Sequence, residues 1–231
     1  IWVDDIVLLT KSLNSLPEKF HGLTNVEKRY RQRYLDLIMN IEVRETFRIR
    51  SLLVSEIRSY LTAREFLEFE TPILQPVYGG ANARPFTTYH HCLCQNLFMR
   101  IAPELYLKRL VIGGFEKVFE IARNFRNEDI DTRHNPEFSM VEIYEAYRDY
   151  NDMMALTEGI VSHLVHTICG NYRIEFGGEP LDFTPPWRKM SMEDAVKELA
   201  GLDTRAYSLE DLKKIARDKR IEGYEAATSW R

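Results

Sequence analysis

The amino-acid sequence predicts an α+β fold in which an antiparallel sheet is flanked by helices. Predicted strands and helices alternate irregularly along the chain instead of repeating as strand–helix units. Two strand-like segments, 115–123 and 137–147, are joined by a polar loop, which is the pattern of a hairpin. Residues 43–64 form a long amphipathic pattern whose apolar face needs a sheet to pack against.

The N-terminal part is predicted to contain a strand, a connector and a helix. Residues 1–10 are strand-like, and residues 11–22 contain the Asn, Pro and Gly residues of a connector. Thr24, followed three residues later by Glu27, has the pattern of a capping box. This pair predicts a helix that begins there and ends near Asn40.

The next part holds the long helix, a proline-interrupted strand and a loop of small residues. The apolar face of the helix is predicted to carry Ile49, Leu53, Ile57, Tyr60 and Leu61. Residues 67–74 are extended, and Pro72 lacks a backbone donor, so this segment belongs at a sheet edge, a bulge or an interface. Residues 79–83, Gly-Gly-Ala-Asn-Ala, predict a loop that a ligand or another backbone can approach closely.

The centre and the C-terminal part continue the mixed pattern. The predicted elements are a strand at 96–101, a helix from Pro103 to Gly113, the two hairpin strands around a loop at 127–135, and a helix at 152–170. Apolar residues at helical spacing indicate that the last helix packs in the core: Leu156, Ile160, Leu164 and Ile168. Two further helices are predicted to begin at Ser191, with Asp194, and at Ser208, with Asp211.

The composition is that of an ordinary soluble globular protein. The 231 residues are 45% hydrophobic and 29% charged, which allows a full core. The formal net charge of −4 excludes a global basic field, so nucleic-acid binding requires a local patch. No apolar run reaches the length of a membrane span, and the acidic start lacks the basic region of a signal peptide. A cytoplasmic protein without a membrane partner is the expectation.

The three cysteines do not form a recognisable framework. Cys92, Cys94 and Cys169 are too few and too irregularly spaced for a set of disulfides, which indicates a reducing compartment. Cys92 and Cys94 lack the two-residue gap of zinc knuckles. His90 and His91 lie beside them, so a metal site stays open as an alternative, but we interpret all four as ordinary strand residues.

One face of the second hairpin strand carries unusual chemistry. Because side chains alternate along a strand, Phe138, Met140, Glu142 and Tyr144 share a face. A charged carboxylate in a strand interior among apolar residues is costly without a cationic partner. Glu142 therefore requires either an internal Arg or Lys or the cation of a ligand.

Arginines on the hairpin are candidates for binding phosphate. Arg123, Arg126 and Arg133 lie on the incoming strand and its loop, with acidic residues between them. Guanidinium groups bind phosphate in a planar, bidentate way, so two arginines beside an exposed aromatic residue can hold a nucleotide triphosphate over a stacked base. The alternative is a solvated loop whose charges alternate for solubility.

Five segments of the chain resemble, in order, class II aminoacyl-tRNA synthetases of the lysyl type. Two neighbouring segments resemble motif 2: Phe-Glu-Ile-Ala-Arg-Asn-Phe-Arg-Asn-Glu at 119–128 and Arg-His-Asn-Pro-Glu-Phe at 133–138. Motif 1 is resembled by Phe-Leu-Glu-Phe-Glu-Thr-Pro-Ile-Leu at 66–74. Segments 19–23, 79–86 and 100–109 are also similar to lysyl enzymes. Five ordered blocks of this length are a far more specific signal than a single glycine motif.

The resemblance implies an ATP site. Arg126, the catalytic residue, would hold the α-phosphate and the lysine carboxylate, and Arg133 would hold the γ-phosphate. Phe138 would stack on adenine, and the remaining ATP-binding residues would be Glu128, His134 and Asn135. Mg²⁺ would bridge the phosphates. This chain would supply no metal ligand, and the ligands of Mg²⁺ would lie in a C-terminal part that the chain lacks.

The resemblance also implies a lysine site and a dimer. Gly80 and Glu104 would meet the α-amino group of lysine, and Glu142 and Tyr144 would meet its ε-ammonium, which is the cation that the strand pattern requires. Pro72 would belong to the dimer motif of a homodimer. The lysine carboxylate would attack the ATP α-phosphate to give lysyl-adenylate, followed by transfer to the terminal ribose of tRNA(Lys); no nucleophilic side chain is needed.

The implied domain organisation is that of an incomplete class II catalytic core. Residues 1–24 are expected to be the last strand of an OB-fold anticodon-binding domain with a linker, and residues 25–231 a partial catalytic domain that lacks motif 3. The main expectation is a fragment of a lysine–tRNA ligase. The alternatives are a truncated binding or dimerisation module without catalysis, and a paralogue that lysylates a translation factor.

Overall fold

The computed structural model describes residues 2–16, 22–221 and 223–226, in two units, Ile1–Phe183 and Thr184–Arg231. The helices of the first unit are α1 (Val26–Arg31), α2 (Arg33–Met39), α3 (Ile41–Thr62), α4 (Glu104–Ile112) and α5 (Tyr150–Cys169). Its strands are β1 (Leu67–Glu68), β2 (Leu74–Gln75), β3 (Thr87–His90), β4 (Gln95–Met99), β5 (Lys117–Phe125), β6 (Glu137–Glu145), β7 (Arg173–Phe176) and β8 (Glu179–Asp182). The second unit has α6 (Met192–Ala200), α7 (Leu209–Asp218) and two short 3₁₀ turns, Thr204–Ala206 and Tyr224–Ala226.

The N-terminal segment differs from its prediction. Residues 2–10 form no strand, and their side chains are exposed. A strand needs a neighbouring strand for its backbone hydrogen bonds, and apolar composition alone cannot supply one. Part of the predicted connector, 11–22, and most of the resembling segment, 19–23, fall on residues 17–21, which lie outside the described residues.

The first helix begins one residue later than predicted. Asn25 is its N-cap, and the Asn25 side chain accepts a hydrogen bond from the backbone N–H of Lys28. The predicted capping box of Thr24 and Glu27 is therefore wrong, because Asn competes equally well with Thr for this position. The single predicted helix is also interrupted at Gln32, where the backbone leaves the helical region.

The strands form three small sheets, and the α+β class is confirmed. One sheet has the order β1-β5-β6, another has the order β2-β4-β3, and β7 and β8 form a hairpin. The predicted central hairpin is present as β5 and β6, which pair antiparallel along their full length. The predicted antiparallel sheet has one parallel addition, because β1 pairs parallel to β5. Pro72 lies between β1 and β2, where the chain passes from one sheet to the other.

The core lies on one face of the β5–β6 hairpin. Its buried residues come from α3, the following turn, β5 and α5: Leu61, Phe66, Phe119, Ile160 and Leu164. Partly buried Ile121, Val141 and Ile143 of the hairpin pack against this cluster. The predicted helices at 43–64 and 152–170 are confirmed, with shifts of one or two residues, and they cover this face. The alternate residues of both strands consequently point to the opposite face.

Helix caps in the C-terminal part agree with the sequence. Asp149 caps the start of α5 in a capping box, and Gly170 ends it in the left-handed conformation. Ser191 accepts a hydrogen bond from the backbone of Asp194, and Ser208 caps α7, as predicted. The helices of the second unit are thus set by local sequence signals.

Candidate active site

The hairpin face opposite the core carries the four residues singled out in the sequence. Strand register places Phe138 opposite Asn124, Met140 opposite Ala122, Glu142 opposite Glu120 and Tyr144 opposite Val118. The Tyr144 hydroxyl donates a hydrogen bond to Glu142 Oε2 at 2.9 Å. The Asn124 amide contacts the Met140 sulfur at 3.7 Å. An aromatic ring, a thioether, a carboxylate and a phenol thus follow one another along this face.

One end of the face, which we call the cationic end, consists of Arg126, Phe138 and the loop between them. The Arg126 guanidinium carbon lies 5.1 Å from the centre of the Phe138 ring, and the Arg126 backbone N–H donates to Pro136 O at 2.8 Å. Arg126 Nε is buried without a hydrogen-bond partner among the residues that the structure describes. A buried donor of this kind is costly, and an anionic ligand can satisfy it.

A cavity of about 350 Å³ opens at the cationic end. Its lining brings together all six residues implied for ATP, together with Asp129 and Ser139: Arg126, Glu128, Arg133, His134, Asn135 and Phe138. Two guanidinium groups and an aromatic ring in one open cavity suit a ligand that carries phosphates and a flat base.

The loop at the cationic end is held in shape by Asp131. Its carboxylate accepts the backbone N–H groups of Arg133 at 2.6 Å and His134 at 2.7 Å, and it also contacts His134 Nδ1 at 2.7 Å. The hydrogen bond to the His134 ring, followed by these backbone bonds, lowers the pKa of the Asp131 carboxyl. The imidazole of His134 is thereby engaged within its own loop.

Arg123 lies apart from the other two arginines. It is opposite Ser139 on the core-side face, and its guanidinium lies 3.7 Å from the Glu137 carboxylate. Arg50 of α3 donates to Ser139 on the same side. Arg123 is therefore an exposed ion-pair partner at the end of the hairpin and is absent from the lining of the 350 Å³ cavity.

The other end of the face, which we call the acidic end, is built from separate segments. Gly80 has a positive φ of 88°, and a Cβ added to it would lie 2.7 Å from Glu104 Cβ and 3.1 Å from Ala102 Cβ. The glycine loop can approach the start of α4 only because this side chain is absent. Glu104 acts electrostatically on both Glu142 and Tyr144, so the four predicted lysine-site residues share one region.

The titration properties of the acidic end follow from burial. Burial raises the pKa of the Glu142 carboxyl, and the charges of Glu104 and Glu120 raise it further. The hydrogen bond from Tyr144 and the positive charge of Arg100 act in the opposite direction. Burial, and then the negative charge of Glu142, raise the pKa of the Tyr144 hydroxyl, which remains a hydrogen-bond donor at neutral pH.

Two buried residues beneath the acidic end were not singled out from the sequence. Arg100 and Glu120 form an ion pair at 2.6 Å, and their side chains are only 4% and 5% exposed. Thr71 donates its hydroxyl to Glu120 at 2.7 Å. The available signal was an acidic residue in the apolar strand 118–122, opposite Glu142, but reading it requires the register of the two strands.

The glycine loop is also joined to the cationic end. The Asn127 backbone N–H donates to Arg84 O at 2.7 Å, and the Arg84 N–H donates to Glu128 Oε1 at 3.3 Å. A second cavity of about 590 Å³ lies at this junction and shares Glu128 and Asp129 with the first. One loop therefore bridges the two ends of the face.

Of the residues weighed as a metal site, His90 ends β3, whereas His91, Cys92 and Cys94 lie in the turn between β3 and β4, so the prediction of strand residues is wrong for these three. His90 Nδ1 accepts the backbone N–H of Leu93 at 3.2 Å, and the Cys94 sulfur contacts His91 O at 3.4 Å. Within the described part of the chain there is no group of three or more His, Cys, Asp or Glu residues that could hold a metal ion. None of the described helices combines the length and apolar character needed to cross a membrane.

Comparison with known proteins assigns the chain to the class II tRNA synthetases. More particularly, it belongs to the family of class II tRNA synthetases (D, K and N), whose family model matches residues 25–221. The resemblance found in the five segments is thus confirmed.

Similar curated proteins are lysine–tRNA ligases. Lysine–tRNA ligase 2 of Methanosarcina mazei is 69% identical over 229 residues, which are 99% of this chain and 45% of that protein. Lysine–tRNA ligase of Methanospirillum hungatei is 67% identical over 96% of this chain and 44% of its own length. Lysine–tRNA ligase of Nostoc punctiforme is 56% identical over 99% of this chain and 41% of its own length. The chain spans less than half the length of these relatives.

Proposed function

We propose that this chain is the part of a lysine–tRNA ligase that binds ATP and lysine and joins them as lysyl-adenylate. One observation carries the proposal: the β5–β6 hairpin has two guanidinium groups beside an aromatic ring at its loop end and, further along the same face, a half-buried carboxylate that forms no ion pair among the described residues. The names of the similar proteins agree with it.

The cationic end would bind the nucleotide. Phe138 would stack on adenine, with Glu128, His134 and Asn135 around the base and ribose, and Arg133 would hold the γ-phosphate. Arg126 would hold the α-phosphate and the lysine carboxylate, which brings the two reacting groups together. The buried, unpartnered Nε of Arg126 supports this role, because an anionic ligand would satisfy it.

The acidic end would bind the amino acid. Glu104 and the Gly80 backbone would meet the α-amino group, and Glu142 and Tyr144 would meet the ε-ammonium. A carboxylate oxygen of lysine would attack the α-phosphorus, and the bond from that phosphorus to pyrophosphate would break. The side chains act by positioning and by charge neutralisation, and Arg126 balances the charge that develops on the phosphate.

Further proposals concern organisation and partners. Residues 25–231 would be part of a class II catalytic domain, and residues 1–24 would belong to an OB-fold domain and its linker. The exposed segment around Pro72 would contact a second copy in a homodimer, and the acceptor would be tRNA(Lys). The described residues contain no cluster of ligands for Mg²⁺, which would neutralise phosphate charge when it is bound.

Binding and activation can be tested separately on the 231-residue chain. Calorimetry with lysine, ornithine and the neutral analogue norleucine should show binding that depends on the terminal ammonium. ATP–pyrophosphate exchange with each of the twenty amino acids then tests activation, and lysine alone should support it. Equal binding of norleucine and lysine would contradict the proposal. Lysine binding without exchange would instead favour a binding module without catalysis.

A further inference from the structure

We propose that Glu120 determines the preference for a cationic amino acid indirectly, by holding Arg100 away from Glu142. This inference rests on the proposed lysine site and adds a residue to it that does not touch the ligand. Glu120 would thus be a positioning residue, and Arg100 an internal cation that competes with the ligand unless it is held.

Arg100 is held below the site by several hydrogen bonds. Its Nη1 donates to Glu120 Oε1 at 2.6 Å and to Thr71 O at 3.0 Å, and its Nε donates to Arg123 O at 2.8 Å. The second carboxylate oxygen of Glu120 accepts the Thr71 hydroxyl at 2.7 Å. Both charged side chains are buried and hydrogen-bonded, which makes their orientation well defined.

Glu120 and Glu142 lie side by side. They are directly opposite each other in the strand register and therefore on the same face of the hairpin. The positive charge of Arg100 lowers the pKa of the Glu142 carboxyl, so the guanidinium lies within electrostatic range of that carboxylate. Arg100 is thus bonded to Glu120 and acts on Glu142 through its charge alone.

Glu142 has no cationic partner of its own. Within the described part of the chain, its carboxylate accepts the Tyr144 hydroxyl and forms no ion pair. Lys108, the other cation at this end, is held by Glu104 at 2.6 Å. A half-buried carboxylate that forms no ion pair favours the approach of a cation. With Arg100 held by Glu120, that cation comes from the ligand.

Removal of the negative charge of Glu120 is expected to weaken the binding of a cationic ligand. In Glu120→Gln, Arg100 loses its carboxylate partner and pairs with Glu142, so the internal cation occupies the place of the ligand ammonium. Lysine affinity should fall about tenfold or more. In the double variant Arg100→Met with Glu120→Gln, the competing cation is also gone, and lysine affinity should return to within about threefold of the unmodified chain.

Calorimetry on the 231-residue chain with lysine and norleucine measures these affinities. A general disturbance of packing predicts that the double variant binds lysine as poorly as Glu120→Gln or worse, and this result would overturn the inference. An unchanged lysine affinity in a folded Glu120→Gln would overturn it as well. If Glu120→Gln does not fold, the double variant still tests the idea, because a buried ion pair can be replaced by neutral residues without loss of stability.

A second readout does not depend on lysine. Carbon-13 NMR of labelled Glu side chains reports the titration of Glu142 in each variant. The pKa of Glu142 should fall in Glu120→Gln, since a negative neighbour is removed and Arg100 moves closer, and it should return towards the unmodified value in the double variant. Failure of the unmodified chain to bind lysine would refute the proposed function, whereas an unshifted Glu142 in Glu120→Gln would refute the role of Glu120 alone.

Discussion

The two ends of the hairpin face are assembled in different ways. The cationic end comes from one continuous stretch, from Arg126 to Phe138, whose loop is shaped by its own hydrogen bonds to Asp131. The acidic end comes from separate segments: the loop at Gly80, the start of α4 at Glu104, and β6 at Glu142 and Tyr144. A candidate binding site made by local sequence thus adjoins a candidate site whose residues come together only when the chain is folded.

This difference concerns charge as well as connectivity. At the cationic end, a buried guanidinium nitrogen of Arg126 has no partner among the described residues, which favours an anionic ligand. At the acidic end, the half-buried Glu142 forms no ion pair with any described residue, which favours a cationic ligand. The two proposed ligands, lysine and ATP, carry charges that are complementary to these two ends.

The largest expected effect is at the acidic end. Glu142→Ala should lower lysine affinity about thirtyfold or more, because removal of one partner of a buried, hydrogen-bonded charge pair typically costs about 2–5 kcal/mol. ATP affinity should stay close to that of the unmodified chain, and calorimetry with each ligand measures both. Glu137→Ala is the matched control, since Glu137 is on the same strand but is exposed and pairs with Arg123. Equal losses for both ligands would show that the two ends are not separate.

The next effect concerns the cationic end. Arg126→Met should weaken ATP binding about tenfold or more, since hydrogen bonds to charged groups contribute about 1.5–3 kcal/mol. Lysine should be affected less, through its carboxylate only. Arg123→Met is the control, because Arg123 lies on the core-side face, and it should leave ATP affinity almost unchanged. A similar loss in both variants would indicate a general effect of positive charge and would argue against the proposed contact.

A smaller effect should come from the loop that joins the ends. Gly80→Ala introduces a Cβ at 2.7 Å from Glu104 Cβ, at a residue whose φ is 88°. The strain is on the order of 1–3 kcal/mol, and the loop should move away from α4, which weakens lysine binding about tenfold. Gly114→Ala, at a φ of 104° with open space around it, is a control for backbone strain alone. Comparable losses of lysine affinity in both variants would contradict a specific role for Gly80.

The sequence predicted the features that depend on residues nearby in the chain. The residues at the cationic end, the helix caps at Ser191 and Ser208, and the alternation that places Glu142 beside Tyr144 depend on neighbours a few residues away. Thr24 and Asn25 are both good caps, and the choice between them depends on the turn that precedes the helix, so the predicted cap was wrong by one residue.

The sequence could not predict what depends on long-range register. The parallel pairing of β1 with β5 and the pairing of Arg100 with Glu120 join segments that are distant in the chain. The strand predicted at 1–10 is not formed in the described residues, because apolar composition does not provide a pairing partner. The neighbours of Glu142 in the sequence predict that a cation, internal or from a ligand, is favourable beside it, whereas the pairing of Arg100 with Glu120 is visible only in the fold.

The smallest expected effect is on the free energy of unfolding, and it concerns the charge of Glu142 at the acidic end. Because burial raises the pKa of Glu142 above its value in the unfolded chain, the folded state binds more protons in the interval between the two values. The associated stability is fully present below the unfolded pKa and is lost as the pH rises through the folded pKa. At neutral pH, the charged Glu142 therefore destabilises the free protein.

Glu142→Gln removes this charge, so it should raise the melting temperature at about pH 7.5 and leave it almost unchanged at about pH 4, where the carboxyl is largely protonated. Thermal unfolding at both pH values measures the difference, with Glu137→Gln as the exposed control that should show no such pattern. A lower melting temperature at neutral pH would mean that Arg100 already neutralises Glu142 in the free protein. In that case the acidic end would not need a ligand cation, and the contrast with the cationic end would not hold.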